Sequence, residues 1–200
     1  MYRFYLASID MLPGVILMIP IYWLLNRVYF RNAKKSILYC LFSCYLSVIY
    51  VLVGLPNVTY IRPEFNVNLV PIIGMIEDWK NSILNIMLFI PLGMMLPILW
   101  SKFRLQKNSL FFGFGASLTI ELLQILTFRI TDVNDLITNT VGTYLGFLGY
   151  QILLNNSVKS KHMVNEENTR ELRFLLVIVF AVMFFVYPFV SSALWDMILQ

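Results

Sequence analysis

The chain has 200 residues, 59% of them apolar and 13% charged, with a mean hydropathy of +0.74. Soluble domains carry charge on roughly a quarter of their residues, so a soluble globular or disordered chain is excluded; a bundle of five or six membrane spans fills the length as one domain, 1–200. The net charge of +4 lies in short blocks between apolar runs, which fits orientation of spans by the positive-inside bias and excludes a nucleic-acid partner.

The N-terminal stretch MYRFYLASIDMLPGVILMIPIYWLLNRVYF has no basic leader region and no small-residue cleavage site, and its cations follow the apolar run. It is expected to be a retained first span. A transmembrane helix needs roughly 20 residues, and six segments qualify, at about 9–27, 37–56, 81–100, 109–128, 134–154 and 174–195. Cys40 and Cys44, four apart in the second segment, have no further Cys or nearby His to complete a metal set and are expected to pack as small apolar residues. Between the second and third segments, residues 57–80 are too polar and proline-rich to span. They still carry Leu69, Val70, Ile72, Ile73, Met75 and Ile76, so an ordered outer cap with Trp79 at headgroup level is expected. Residues 155–168 form a polar linker that holds the single histidine, His162, away from every other polar cluster. Pro13, Pro20, Pro91, Pro97 and Pro188 fall inside spans, where neighbouring groups can satisfy the carbonyls they free.

Eleven of the 15 lysines and arginines lie on three linkers, after the first and third spans and before the sixth. Those linkers are therefore read as cytoplasmic, which places both termini outside.

The polar residues of the fourth and fifth segments repeat at helical spacing. Ser117, Glu121 and Gln124 stand at i, i+4 and i+7; Asp132, Asp135, Asn139 and Gly142 stand at i, i+3, i+7 and i+10. With the fourth span ending near Phe128, Glu121 is about 10 Å below the outer boundary, Asn139 about 9 Å, and Asn85 and Gln124 about 6 Å. An ionised carboxylate at that depth costs several kcal/mol, so Glu121 is expected to be neutral, with Asn85, Gln124 and Asn139 as hydrogen-bond partners. Arg129 can pair with Asp132 or Asp135 at the mouth of this pocket, and the two aspartates could alternatively share a divalent cation; the ion pair is the simpler reading, and no metal or cofactor is assigned. Gly142, Gly146 and Gly149 allow close helix approach. Buried Asn, Gln and Ser also serve as plain interhelical glue, but an ionisable group inside the membrane is by default a functional candidate.

At these residues the sequence resembles the VanZ-like family of bacterial membrane proteins. NVNLVPI (66–72), NIMLFIPLGMMLP (85–97), SLTIELLQ (117–124) and DVNDLITNTVGTYLGFLGY (132–150) carry the resemblance together, in order, over roughly residues 66–150. It implies a multi-pass envelope protein, of a Gram-positive bacterium, connected with low-level resistance to teicoplanin.

Three functions compete. In the first, the outer-leaflet pocket binds or remodels an envelope lipid, a cell-wall precursor or a lipoglycopeptide, through Glu121 with Asn85, Ser117, Gln124, Arg129, Asp132, Asp135 and Asn139. In the second, Glu121 is the general acid or base of an intramembrane enzyme acting on an envelope lipid, although no Ser/His or Cys/His pairing accompanies it. The third, a proton-coupled carrier, lacks the inverted repeats and broken helices of such folds.

Overall fold

The computed structural model describes residues 2–63, 67–68, 78–127, 131–153 and 169–199. The chain is an all-α membrane protein, with a single pair of two-residue strands among the described residues. Arg129, His162, the linker 155–168 and most of the expected outer cap lie outside the described residues. The chain divides into two compact units, residues 1–62 with 170–200 and residues 63–169.

In the first unit, α1 (Tyr2–Leu25) runs through a π-helical turn, Asn26–Phe30, and packs on α2 (Ala33–Leu52). Asn32 caps α2 by accepting the Lys35 N–H at 3.1 Å. At its other end Gly54 takes the left-handed conformation (φ 63), and the N–H groups of Gly54 and Leu55 return to the carbonyls of Val51 and Tyr50. This is a Schellman stop, which needs a residue without Cβ strain at that position. α6 (Arg170–Ala181) continues through a π turn, Val182–Val186, into α7 (Tyr187–Ile198). Pro188 has no N–H to offer the Phe184 carbonyl, and the Val58 N–H takes that carbonyl instead at 3.0 Å. At one end of this unit Glu171 accepts Lys35 Nζ at 2.8 Å and the Tyr39 hydroxyl at 2.5 Å. At the other, Asp10 Oδ1 accepts Trp195 Nε1 at 2.8 Å. Cys40 and Cys44 are free thiols, and Cys44 Sγ lies 3.9 Å from the Val15 carbonyl of α1.

The second unit holds β1 (Val67–Asn68), α3 (Trp79–Leu99), a 3₁₀ turn (Ser101–Arg104), α4 (Gln106–Gln124), β2 (Thr131–Asp132) and α5 (Val133–Leu153). Asp78 caps α3, and Trp79 at its start is exposed. α3 and α5 run parallel and meet backbone to backbone. A Cβ built on Gly146 would lie 1.9 Å from the Ile90 carbonyl oxygen, one on Gly142 2.3 Å from that of Ile86, and one on Gly93 2.0 Å from that of Thr143. α4 packs antiparallel on α5, with Gly113 against the Thr143 side chain.

Four helical segments are long and apolar enough to cross a membrane: Ile9–Phe30, Ala33–Leu52, Trp79–Leu99 and Arg170–Ile198. They coincide with the first, second, third and sixth expected spans. The fourth and fifth expected spans are the helices α4 and α5, which are more polar. Their polarity is turned inward: Ser109, Ser117, Glu121, Gln124, Asn134, Thr138, Asn139 and Thr143 are buried, while Phe111, Phe114, Leu122, Val141, Leu145 and Ile152 are exposed. α4 also ends at Gln124, four residues before the expected boundary near Phe128. The Leu126 N–H turns back to the Leu123 carbonyl, and the Thr127 N–H and hydroxyl both reach the Gln124 carbonyl, so the apolar run that follows Gln124 does not extend the helix.

The glycine contacts give a direct test. Gly146→Ala forces a Cβ into the Ile90 backbone, which cannot move aside as a side chain could, and is expected to cost about 1–3 kcal/mol or more. Gly115→Ala meets nothing within 4 Å and is expected to leave stability unchanged or raise it by about 0.5–1 kcal/mol. Thermal melting of both purified variants in one detergent measures the contrast; equal melting temperatures would show that α3 and α5 do not depend on this contact.

Candidate functional site

Glu121 stands in the last turn of α4 and is 4% exposed. Because the helix is shorter than expected, the carboxylate lies about one turn from the helix end. Its Oε2 accepts the Asp132 backbone N–H at 2.9 Å, and its own carbonyl accepts the Thr131 hydroxyl at 3.1 Å. The end of α4 is thereby tied to β2, immediately before α5.

Asp132 caps α5. Its Oδ1 accepts both the backbone N–H and the side-chain Nδ2 of Asn134, each at 2.8 Å, and its Oδ2 accepts Asn68 Nδ2 at 3.2 Å. β1 pairs in parallel with β2, in the register Val67 to Thr131 and Asn68 to Asp132. In a capping box, a Glu in the third helical position bonds the N–H of the capping residue. Here Glu121 does so from the preceding helix. Two carboxylates thus sit at the positive end of the α5 dipole, where each is favoured by about 0.3–1 kcal/mol.

One turn deeper, Asn139 Nδ2 donates to Ser117 Oγ at 2.9 Å; both residues are buried. The Asn139 carbonyl accepts the Thr143 hydroxyl at 3.0 Å, and its side-chain Oδ1 is buried without a hydrogen-bond partner among the described residues. Gln124 is buried at the end of α4. Asp135 is half-buried in the first turn of α5, where its carbonyl and that of Asn134 share the Thr138 hydroxyl.

The structure therefore gathers Ser117, Glu121, Asp132 and Asn139 along the α4–α5 seam. Within it, Glu121 accepts a backbone N–H, Asn139 bonds Ser117, and the side chain of Asn85, half-buried on α3, makes no hydrogen bond among the described residues. The expected pairing of Arg129 with an aspartate falls outside the described residues. No group of three His, Cys, Asp or Glu close enough to hold a metal occurs among the described residues. Sequence reasoning passed over Asn68, Thr131 and Asn134. Asn134 was signalled as an Asx turn, since an Asp two residues before it can bond its N–H. Asn68 carried only its place in the NVNLVPI block.

Helices that bury Ser, Thr, Asn, Gln and Glu while exposing Phe, Leu, Ile and Val, beside long apolar spans, define a multi-pass membrane protein. The VanZ/LLP1 family profile matches residues 36–154, and the chain belongs to that family of bacterial membrane proteins. The match reaches further toward the N-terminus than the motif blocks at 66–150 and takes in α2. Protein VanZ of Enterococcus faecium is 31% identical over 103 residues, which cover 51% of this chain and 60% of that protein. The chain thus spans about three fifths of the length of that curated relative. No solved structure matches.

The seam can be dissected by double-mutant cycle. Ser117→Ala and Asn139→Ala are expected to show a coupling of about 0.6 kcal/mol, as interhelical hydrogen bonds in membranes do on average. Asp132→Ala removes a helix cap and is expected to cost about 1 kcal/mol. Reversible unfolding in mixed micelles measures both, and zero coupling between Ser117 and Asn139 would remove their bond from the account.

Proposed function

We propose that this VanZ/LLP1-family protein crosses the membrane six times with both termini outside, and that it lowers susceptibility to teicoplanin. In this reading it engages an envelope lipid, a cell-wall precursor or the acyl tail of the lipoglycopeptide at the outer end of the α4–α5 hairpin. One observation carries the proposal: Glu121 is 4% exposed and held by the Asp132 N–H at the point where two helices meet. A carboxylate costs several kcal/mol at such a site, whereas a leucine or glutamine would pack there cheaply, so its presence calls for a function. Its place beside the seam of Asn134, Asn139 and Ser117 supplies hydrogen-bonding groups for a polar headgroup or amide. The exposed apolar faces of the same helices suit a lipid tail.

The test compares teicoplanin with vancomycin, which lacks the acyl tail, in a susceptible host expressing the full chain. Wild type is expected to raise the inhibitory concentration of teicoplanin alone. Glu121→Gln keeps an oxygen for the Asp132 N–H and is expected to accumulate normally yet lose protection. Glu121→Ala loses both the acceptor and the charge. Full protection by Glu121→Gln, or equal protection against both drugs, would overturn the reading. Envelope lipids altered by wild type and restored by Glu121→Gln would favour an intramembrane enzyme with Glu121 as its general acid or base.

A further inference from the structure

A second surface of the same hairpin is independent of Glu121. Beginning about 10 Å along α4 from Glu121, a groove of about 510 Å³ opens between α4 and α5, lined by Gln106, Leu110, Phe114, Ile137, Val141 and Tyr144 among others. None of the lining residues is charged. The hydroxyl of Thr140, which also faces it, is spent on the Leu136 carbonyl of its own helix at 2.7 Å. On α4 the groove runs from Phe114 to Gln106, about 12 Å, and Lys107 is the next residue in the chain after Gln106. Lys107 stands three and seven residues before Leu110 and Phe114, and so shares their side of α4. Lys102 precedes it on the 3₁₀ turn, whose backbone is fixed to α4: Asn108 Nδ2 donates to the Lys102 carbonyl at 2.6 Å, and Ser109 Oγ to the Phe103 carbonyl at 2.7 Å. Both lysines are exposed, and neither makes an ion pair with a described residue. From Trp79 to Ile120 the sequence contains no acidic residue to compete for them. This is also one of the linkers that the distribution of lysine and arginine assigns to the cytoplasm, where the leaflet is anionic.

We propose that the α4–α5 groove is a binding site for an anionic phospholipid of the cytoplasmic leaflet, its acyl chain along Leu110, Phe114 and Val141 and its phosphate at Lys102 and Lys107. The charge complement selects the ligand: an uncharged apolar slot suits any acyl chain, but two unpaired cations at its mouth suit only a headgroup with net negative charge. Each such cation contributes about a fivefold preference, and the two factors multiply to about 25-fold.

The test is native mass spectrometry of the purified full chain, equilibrated with an equimolar mixture of phosphatidylglycerol and phosphatidylcholine bearing identical acyl chains. Phosphatidylglycerol is expected to be retained about 25-fold in preference. Lys102→Glu with Lys107→Glu is expected to bring the ratio to parity or below. Val141→Trp, which fills the groove from an exposed position, is expected to reduce retention of both lipids. Equal retention of the two lipids by wild type, or an unchanged preference after charge reversal, would overturn the proposal. So would undiminished retention by Val141→Trp. Both lysines are exposed, so the charge-reversal arm decides even where the tryptophan variant fails to fold.

Discussion

The closeness of α3 to α5 is the constraint from which the second unit is built. Where a Cβ would overlap the Ile90 carbonyl, Gly146 presents a hydrogen, so the two backbones touch and Cα–H groups point at carbonyl oxygens. Such contacts are weak singly, but inside a membrane no hydrophobic force drives helices together, and close van der Waals packing has to hold them. Three glycines, Gly93, Gly142 and Gly146, repeat the contact along two turns and fix the pair in rotation as well as distance. α4 is then placed by Gly113 against Thr143. From that registration the Ser117–Asn139 bond and the Glu121–Asp132 bond follow, one and two turns further along the antiparallel pair.

Glu121 is poised between opposing fields. In the last turn of α4 it faces the negative end of its own helix dipole, which disfavours a carboxylate by a few tenths of a kcal/mol to about 1 kcal/mol. The start of α5 provides the opposite field, and its capping residue gives the carboxylate a backbone donor at 2.9 Å. A charge-assisted bond of this kind is worth about 1.5–3 kcal/mol, enough to outweigh the unfavourable dipole. The same α5 terminus is claimed by Asp132, whose carboxylate is already occupied by Asn134 and Asn68. The two acids therefore have different duties: Asp132 holds the turn together, while Glu121 depends on that turn for its position.

Much of this was legible in the sequence, and the division between legible and illegible is physical. Helix positions followed from apolar run length, and the glycine stripe at 142 and 146 followed from its spacing, because both are local properties. The inward face of α4, and part of that of α5, could be read because Ser117, Glu121 and Gln124, like Asn139 and Gly142, recur at helical period. The end of α4 could not, since Ile125 and Leu126 continue the apolar character and only backbone turns at Thr127 stop the helix. Nor could the Asp132 N–H as a donor to Glu121: polar side chains at similar depth suggested each other, whereas a backbone N–H is carried by every residue but proline. Asn68 was hidden for a different reason. Its bond to Asp132 spans 64 residues and depends on a parallel pairing of two-residue strands, too short to leave a periodic signal.

Composition divides the chain along the same line. The first unit crosses with long apolar helices and carries a few polar contacts, Lys35 with Glu171, Asp10 with Trp195 and Tyr22 with Ser43. The α4–α5 hairpin instead carries Glu, Gln, Asn, Ser and Thr within its buried face and is less apolar than the four long candidate spans. Each buried hydroxyl that donates to its own helix, as Thr143 does to Asn139, removes one unsatisfied group but adds little to stability. An apolar hairpin of the same shape would be simpler to insert and to hold. The family match, residues 36–154, contains that hairpin entirely and ends at the close of α5.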